Sequence, residues 1–339
     1  MRPSFLPRLV NGPFEDPGLF VPFSFEQRAL LFDLGDLHAL SPRDILKTSH
    51  VFITHTHMDH FLGFDQLLRL FLGREKVIHL YGPTGFLANI EGSLAGYSWN
   101  LVAKFANHLE VAATEVQAST TATQRYLCRN GFRPLQAPRV RPFAGILMHE
   151  DAITVSCAVL DHGIACLGFS LQEAFHVNIR KDALAARRLP TGPWLQQFKS
   201  ALFRGEHRES EFRVPVAGTP GKTRVYTLGA LAEAIALISP GQKVTYIADA
   251  VFSEANAEKM VSLAAGSDQL FIEAAFLDEH RPIAREKKHL TAAQAGTIAG
   301  MAGVRQFCLF HHSPRYTDAQ DRFDREARQA YEKAVAPPA

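Results

Sequence analysis

The chain has 339 residues, is 47% hydrophobic and 21% charged, and carries a net charge of +2. That balance suits an ordinary globular protein with a full core. No apolar run approaches the roughly eighteen residues a membrane span requires, and Met1–Arg8 lacks the continuous apolar segment of a signal peptide. Cys128, Cys157, Cys166 and Cys308 lie far apart with no CxxC pair. Three of them sit in apolar strand-like runs, so reduced thiols and a cytoplasmic protein are expected.

In chain order, residues 1–27 are rich in Pro and Gly and read as an irregular lead-in with short strands. Ala29–Phe32 is a buried strand ending at Asp33. Ser41 and Pro42 are the N-cap and first position of a short helix. The strand His50–Ile53 runs into Thr54-His55-Thr56-His57-Met58-Asp59-His60, and a helix-like run, Leu62–Leu68, leads out. Val77–Leu80 is the next strand, stopped by Tyr81-Gly82-Pro83, and residues 98–109 read as a helix. Ile153–Val159 and Ala165–Leu171 pair across Asp161-His162-Gly163.

From 172 to 224 the hydrophobic periodicity weakens, and this segment is expected to project as an inserted basic arm within a single domain spanning 1–339. Between His176 and Arg224 stand ten basic residues against four acids. A second stretch, Val116 to His149, holds Arg125, Arg129, Arg133, Arg139 and Arg141 and no acid. Such segments suit a phosphate-backbone partner. Helical patterning resumes at 228–238. A strand over 243–248 ends at Asp249, a helix covers 254–264, and 269–272 ends at Glu273. Thr291–Gln294 matches a capping box opening a helix to Met301. Residues 305–310 form a strand ending at His311, and Thr317–Gln320 matches a second capping box before the final helix.

Three imidazoles and a carboxylate on one strand-to-helix loop are zinc-type donors. His55 and His57, two residues apart in extended chain, share a face, while Asp59 and His60 turn elsewhere. This arrangement resembles the HxHxDH signature of the metallo-β-lactamase superfamily. Further candidates end strands or turns: Asp33, His162, Asp249, Glu273 and His311. They complete a two-ion arrangement, with His55, His57 and His162 at one ion, Asp59, His60 and His311 at the other, and Asp249 shared. Two divalent ions about 3.5–4 Å apart acidify a water and hold attacking and leaving oxygens, the logic of phosphodiester hydrolysis. Glu273 is a candidate acceptor orienting a His ligand. His289 follows Arg285, Lys287 and Lys288, cations that would depress its pKa. Spacing alone leaves the choice between His311 and His312 open.

The order of Asp33-Leu34-Gly35, the HxHxDH loop, Leu160-Asp161-His162-Gly163, Asp249, His289-Leu290-Thr291 and His311-His312-Ser313-Pro314-Arg315-Tyr316 resembles ribonuclease Z, the tRNA 3′-processing branch of that superfamily. Leu189-Pro190-Thr191-Gly192-Pro193, followed by Phe198-Lys199, is similar to that family's tRNA-binding arm. The resemblance implies a four-layer αβ/βα sandwich with a projecting arm. It implies Asp59 as ligand and proton acceptor, His289 in proton transfer, His311 as the ligand, and Arg315, Gly192, Pro193 and Lys199 as phosphate or RNA contacts. It also implies two divalent ions, zinc by the imidazole-rich donors, though manganese and iron accept them too. Precursor tRNA would be the substrate and a homodimer the assembly. Two departures bear on the substrate. Leu9–Phe14 replaces the family's Gly-Thr-Gly-like turn, and Leu34-Gly35-Asp36 stands where Cys-Gly-Glu is usual. A hydrolase of small phosphodiesters or other esters on the same fold is the alternative.

Overall fold

The computed structural model describes residues 4–216, 218–219, 221–317 and 319–335. The chain divides into two compact units. The larger comprises Phe5–Leu147, Ser156–Ser170 and the chain from Val244 onward; the smaller comprises Met148–Val155 and Leu171–Lys243, with Ser4.

Eight strands make the first sheet in sequence order: β1 (Arg8–Leu9), β2 (Leu19–Pro22), β3 (Ala29–Phe32), β4 (Thr48–Phe52), β5 (Lys76–Pro83), β6 (Leu109–Val116), β7 (Thr120–Leu127) and β8 (Arg139–Pro142). β3 through β6 are parallel, and the flanking pairs are antiparallel. The chain continues through β9 (Ile146–His149), β10 (Ile153–Asp161), β11 (Ala165–Glu173), β12 (Phe175–Ile179), β13 (Glu211–Pro215), β14 (Thr223–Thr227), β15 (Ala236–Pro240), β16 (Lys243–Ile247), β17 (Gln269–Glu273) and β18 (Phe307–Phe310). The second large sheet has the order β18-β17-β16-β11-β10-β9, with β16, β17 and β18 parallel.

Side-chain alternation builds the layers of the larger unit. Val51, Ile53, Ile78, Leu80 and Val111 face outward onto helices Phe64–Phe71 and Phe86–Ala95, which bury Phe64, Leu67, Leu68 and Phe71, and Phe86, Ile90 and Leu94. The spacing of those residues is one helical face. Between the sheets, Phe32 stacks on Phe52 at 5.1 Å, Phe169 tilts against both, and Tyr246 stacks on Phe310 at 5.1 Å. Ile247, Leu270, Ile272 and Leu309 face outward onto helices Glu254–Ala264, Ala292–Met301 and Gln320–Val335. Each fully buried side chain of this size stabilises by about 1.5–3 kcal/mol. The result is helix, sheet, sheet, helix. The parallel strands end at one edge, which collects the residues following β3, β4, β16, β17 and β18.

In the smaller unit β12 pairs with β15 and β13 with β14. Its own core gathers Leu184, Trp194, Phe198, Val214, Leu231 and Ile235. Trp194, Phe198 and Ala201 form the buried stripe of helix Trp194–Phe203, and the Trp194 indole donates to the Pro190 carbonyl at 2.8 Å. The basic segment 172–224 lies within this unit.

Several local expectations need correction. Residues 98–109 form one 3-10 turn, Val102–Lys104, and not a helix. The preceding helix ends at Ala95 with Gly96 as its C-cap, and the Trp99 indole donates to the Leu94 carbonyl at 2.8 Å. Tyr81-Gly82-Pro83 does not stop β5, which pairs with β6 through Pro83; the pairing with β4 ends at Tyr81, so Pro83 faces no ladder partner on that side. The helix from Leu228 ends at Ile235, because residues 236–240 are taken up as β15. The final helix begins at Gln320. Thr317 donates to the Pro314 carbonyl at 3.2 Å, and Asp318 of that expected capping box lies outside the described residues.

Candidate metal centre

The site grows from the end of β4. Thr54 and His55 are fully buried, His57 is extended (φ −64°, ψ 155°), and the chain then turns into the short helix Met58–Phe61. Two glycines let neighbouring loops press against this turn. A Cβ on Gly63 would lie 2.4 Å from the Gly35 carbonyl oxygen, and one on Gly35 would lie 2.8 Å from that of Asp59. Asp33 (φ +59°) and His311 (φ +61°) adopt left-handed backbone conformations at strand ends. Such geometry is costly for these residues and persists where surrounding structure over-determines it.

Asp33 is a buried anchor. It accepts from the Thr54 amide at 2.7 Å and hydroxyl at 2.9 Å, from Tyr246 Oη at 3.0 Å, and from His60 Nδ1 at 2.9 Å. That last bond fixes the His60 tautomer and aims Nε2 inward. The Lys288 carbonyl does the same for His162, accepting from Nδ1 at 2.9 Å. Asp249 lies at the focus. Its Oδ2 is 3.7 Å from His55 Nε2 and 3.4 Å from His162 Nε2; its Oδ1 is 3.6 Å from His60 Nε2 and 2.8 Å from His311 Nδ1. Asp59 Oδ2 meets His311 Nε2 at 3.1 Å and His60 Nε2 at 3.5 Å.

Four of these buried atoms have no hydrogen-bond partner among the described residues: His55 Nε2, His60 Nε2, Asp249 Oδ1 and His311 Nδ1. Even the 2.8 Å approach of Asp249 to His311 lacks hydrogen-bond alignment. Buried polar atoms left unpaired are costly, and four converging on one spot fit a cation. The donors group as His55, His57, His162 and Asp249, as Asp59, His60 and His311, and as Asp249, Glu273, His289 and His311; within each group the ligand atoms lie within 4.8 Å of one another. The first two groups bring together the residues that the sequence reading assigned to two ions, with Asp249 in the first and 3.6 Å from His60 and 2.8 Å from His311 of the second. Imidazole and carboxylate donors suit divalent ions.

Electrostatics divide the histidines. Burial, reinforced by His60, lowers His55 to about 2, so its imidazole is neutral. Burial alone would lower His60, but Asp249 and Asp33 outweigh it and push the group up to about 10. His311 is likewise raised well above the ordinary range despite burial, chiefly by Asp249. Burial would raise Asp59, but the His311 hydrogen bond and the His60 charge hold it down at about 2. Asp249 lies well below the carboxylate range because His311 and His60 outweigh its burial.

His289 departs from the sequence expectation. Burial would lower it, but Glu273 raises it net through its charge and hydrogen bond, aided by Asp249. Glu273 accepts from His289 Nδ1 at 3.1 Å and from the amides of Ala250 and Leu290. The basic run before His289 does not set its titration, because the carboxylate touching the ring does.

A cleft of about 420 Å³ opens over the centre, lined by His57, Asp59, Asp249, His289, His311 and Arg315 among others. Phe276, Ile283 and Lys287 also line it. The sequence reading did not single out Phe276 or Ile283, and it named Lys287 only as one of the cations before His289. His312 points its Nδ1 to the Ala274 carbonyl at 2.7 Å and stacks on Phe323 at 3.9 Å. Gly192, Pro193 and Lys199 belong to the smaller unit, where Lys199 is half-buried and its pKa is lowered by that burial against the pull of Glu173.

No family model matches the chain. Curated relatives do. A ribonuclease Z of Deinococcus radiodurans is 29% identical over 307 residues, covering 90% of this chain and 88% of its own. A ribonuclease Z of Lactiplantibacillus plantarum is 30% identical over 300 residues, 85% of this chain and 78% of its own. Among solved structures, the metallo-β-lactamase-fold protein YhfI of Bacillus subtilis superposes with a TM-score of 0.53 at 15% identity, covering 96% of this chain and 92% of its own. Human tRNase Z, short form, superposes with a TM-score of 0.51 at 18% identity, covering 92% and 93%. The structural neighbours carry the metallo-β-lactamase fold, and the 30% identity sustained over most of both chains places this protein in the ribonuclease Z family.

Proposed function

We propose that the protein is a metal-dependent endoribonuclease that hydrolyses the phosphodiester at the 3′ end of precursor tRNA. The observation that carries this is the set of four unpaired buried atoms around Asp249, in a chain of the ribonuclease Z family. His55, His57, His162 and Asp249 would hold one divalent ion and Asp59, His60, His311 and Asp249 the other, with zinc favoured by the imidazole-rich set. Bound there, the ions supply Lewis-acid activation of water and stabilise developing phosphate charge.

The chain's own residues do the rest. Asp33 and the Lys288 carbonyl hold His60 and His162 in the tautomers that present Nε2. Asp59, half-exposed and held as a carboxylate by His311 and His60, faces the cleft with its charge in place. His289 keeps Nδ1 on Glu273, leaving Nε2 to donate a proton to the departing oxygen. Arg315 lines the same cleft and can hold a phosphate oxygen. The excess of basic residues between His176 and Arg224 is our reason for assigning the smaller unit to the tRNA body, through phosphates and shape.

The deciding experiment is cleavage of a 3′-extended precursor tRNA with added zinc or manganese, beside Asp59→Ala. Cutting at the end of the acceptor stem, abolished in the variant, is expected. Hydrolysis of a small phosphodiester with no cutting of precursor tRNA would remove the substrate and favour the small-ester reading.

A further inference from the structure

Between Gln117 and His149 the chain has five arginines and no aspartate or glutamate. Two of the five are engaged. Arg125 pairs with Glu110, and Arg129 lies 3.3 Å from His108 Nε2. Arg133, Arg139 and Arg141 are exposed, and among the described residues none has a carboxylate within 4.0 Å. The last two lie on β8, the terminal strand of the eight-stranded sheet, all four residues of which are exposed.

The register fixes where these cations stand. Arg139 pairs with Thr123 and Arg141 with Thr121. Alternation therefore sets Arg139 and Arg141 on one face with Thr121, Thr123 and Arg125, away from Val140. Two residues of strand separate them by about 7 Å. Thr121 and Thr123 are partly exposed and add hydroxyls to the same strip. A charged side chain blunts an edge strand against further pairing, but a single one on β8 would do that. A row of unneutralised cations repels itself and gains from a partner with regularly repeated negative charge. A nucleic-acid backbone has that property, and an isolated acidic side chain does not.

We propose that Arg139 and Arg141 on the β8 edge, joined by the exposed Arg133 of the segment leading into that strand, form a basic ridge that docks the phosphate backbone of the RNA substrate. This rests on the RNA-substrate reading above and adds a second binding surface to it, one that acts on affinity and leaves the chemical step alone.

The test uses the full chain with Arg133→Thr, Arg139→Thr and Arg141→Thr combined, and a companion with lysine at all three positions. Binding of 3′-extended precursor tRNA is followed by fluorescence anisotropy across a salt series, alongside cleavage kinetics. In the threonine variant, Kd should rise roughly tenfold or more, and the slope of log affinity against log salt should flatten by about 2–3, near 0.9 for each phosphate that is no longer neutralised. Its kcat at saturating RNA and its hydrolysis of bis(p-nitrophenyl) phosphate should match the parent. The lysine variant should retain most of the affinity. Unchanged affinity and slope in the threonine variant would overturn the ridge, as would a variant that aggregates yet binds RNA normally per folded molecule, since the arginines would then serve only as edge protection. A parent protein that hydrolyses the small diester but neither binds nor cuts precursor tRNA would remove the substrate reading and the ridge with it.

Discussion

Asp33→Asn removes one charge and almost nothing else. Asn tolerates the left-handed backbone at φ +59°, so no main-chain strain is added. The carboxylate now accepts from four donor groups: the Thr54 amide, the Thr54 hydroxyl, Tyr246 and His60. An amide has one accepting oxygen, so its NH₂ must face at least one of those donors. Turned toward His60, it makes Nδ1 an acceptor and moves the ring proton to Nε2, the atom that has no protein hydrogen-bond partner. That nitrogen then has no lone pair for a metal. Loss of such a supporting bond lowers metal affinity by roughly 10–100-fold, or about 1.4–2.7 kcal/mol. Zinc affinity, measured by competition with a chromophoric chelator, should fall by that amount with the circular dichroism spectrum unchanged. An affinity within twofold of the parent would show that Asp33 does not orient His60, and the assigned tautomer would be wrong.

Other consequences follow from the same geometry. Without metal, His60 is pushed up to about 10 and His311 is also raised, so both hold protons near neutral pH that an ion must displace. Zinc binding should release on the order of two protons and strengthen as pH rises, read by calorimetry in buffers of different ionisation enthalpy; release of none would contradict it. Glu273→Gln removes the group that raises His289. If His289 is the proton donor, activity falls as pH rises through its pKa, so the alkaline limb should shift to lower pH in the variant; an unmoved limb with reduced kcat would assign Glu273 a purely structural role. His289→Gln should cost kcat about 10²–10⁴-fold with little change in KM. Gly63→Ala places a Cβ 2.4 Å from the Gly35 oxygen and 2.8 Å from Leu37 Cγ, and should destabilise by about 1–3 kcal/mol; an unchanged urea midpoint would count against that close approach.

Much of the centre was legible in the chain itself, because its donors are chemically conspicuous and strand ends announce themselves. The His55–His60 loop needs only the period of an extended chain to set His55 and His57 together. The capping box at Thr291 and Gln294 forms as expected, with both reciprocal bonds present. Strands ending at Asp249, Glu273 and His311 follow from apolar runs closed by a polar residue. Other features depended on partners far along the chain. His289 is tuned by Glu273, sixteen residues away, and not by its charged neighbours. That His311 and not His312 faces Asp59 and Asp249 follows from where the Ala274 carbonyl and Phe323 hold His312. The expected helix over 98–109 yields to a single 3-10 turn, with the Trp99 indole bonded back to the helix before it. Local propensity and periodicity are properties of neighbouring residues, so the sequence reports them directly. Proton affinity, tautomer and burial depend on groups within a few ångströms in space, and only the packed sheets bring those groups together.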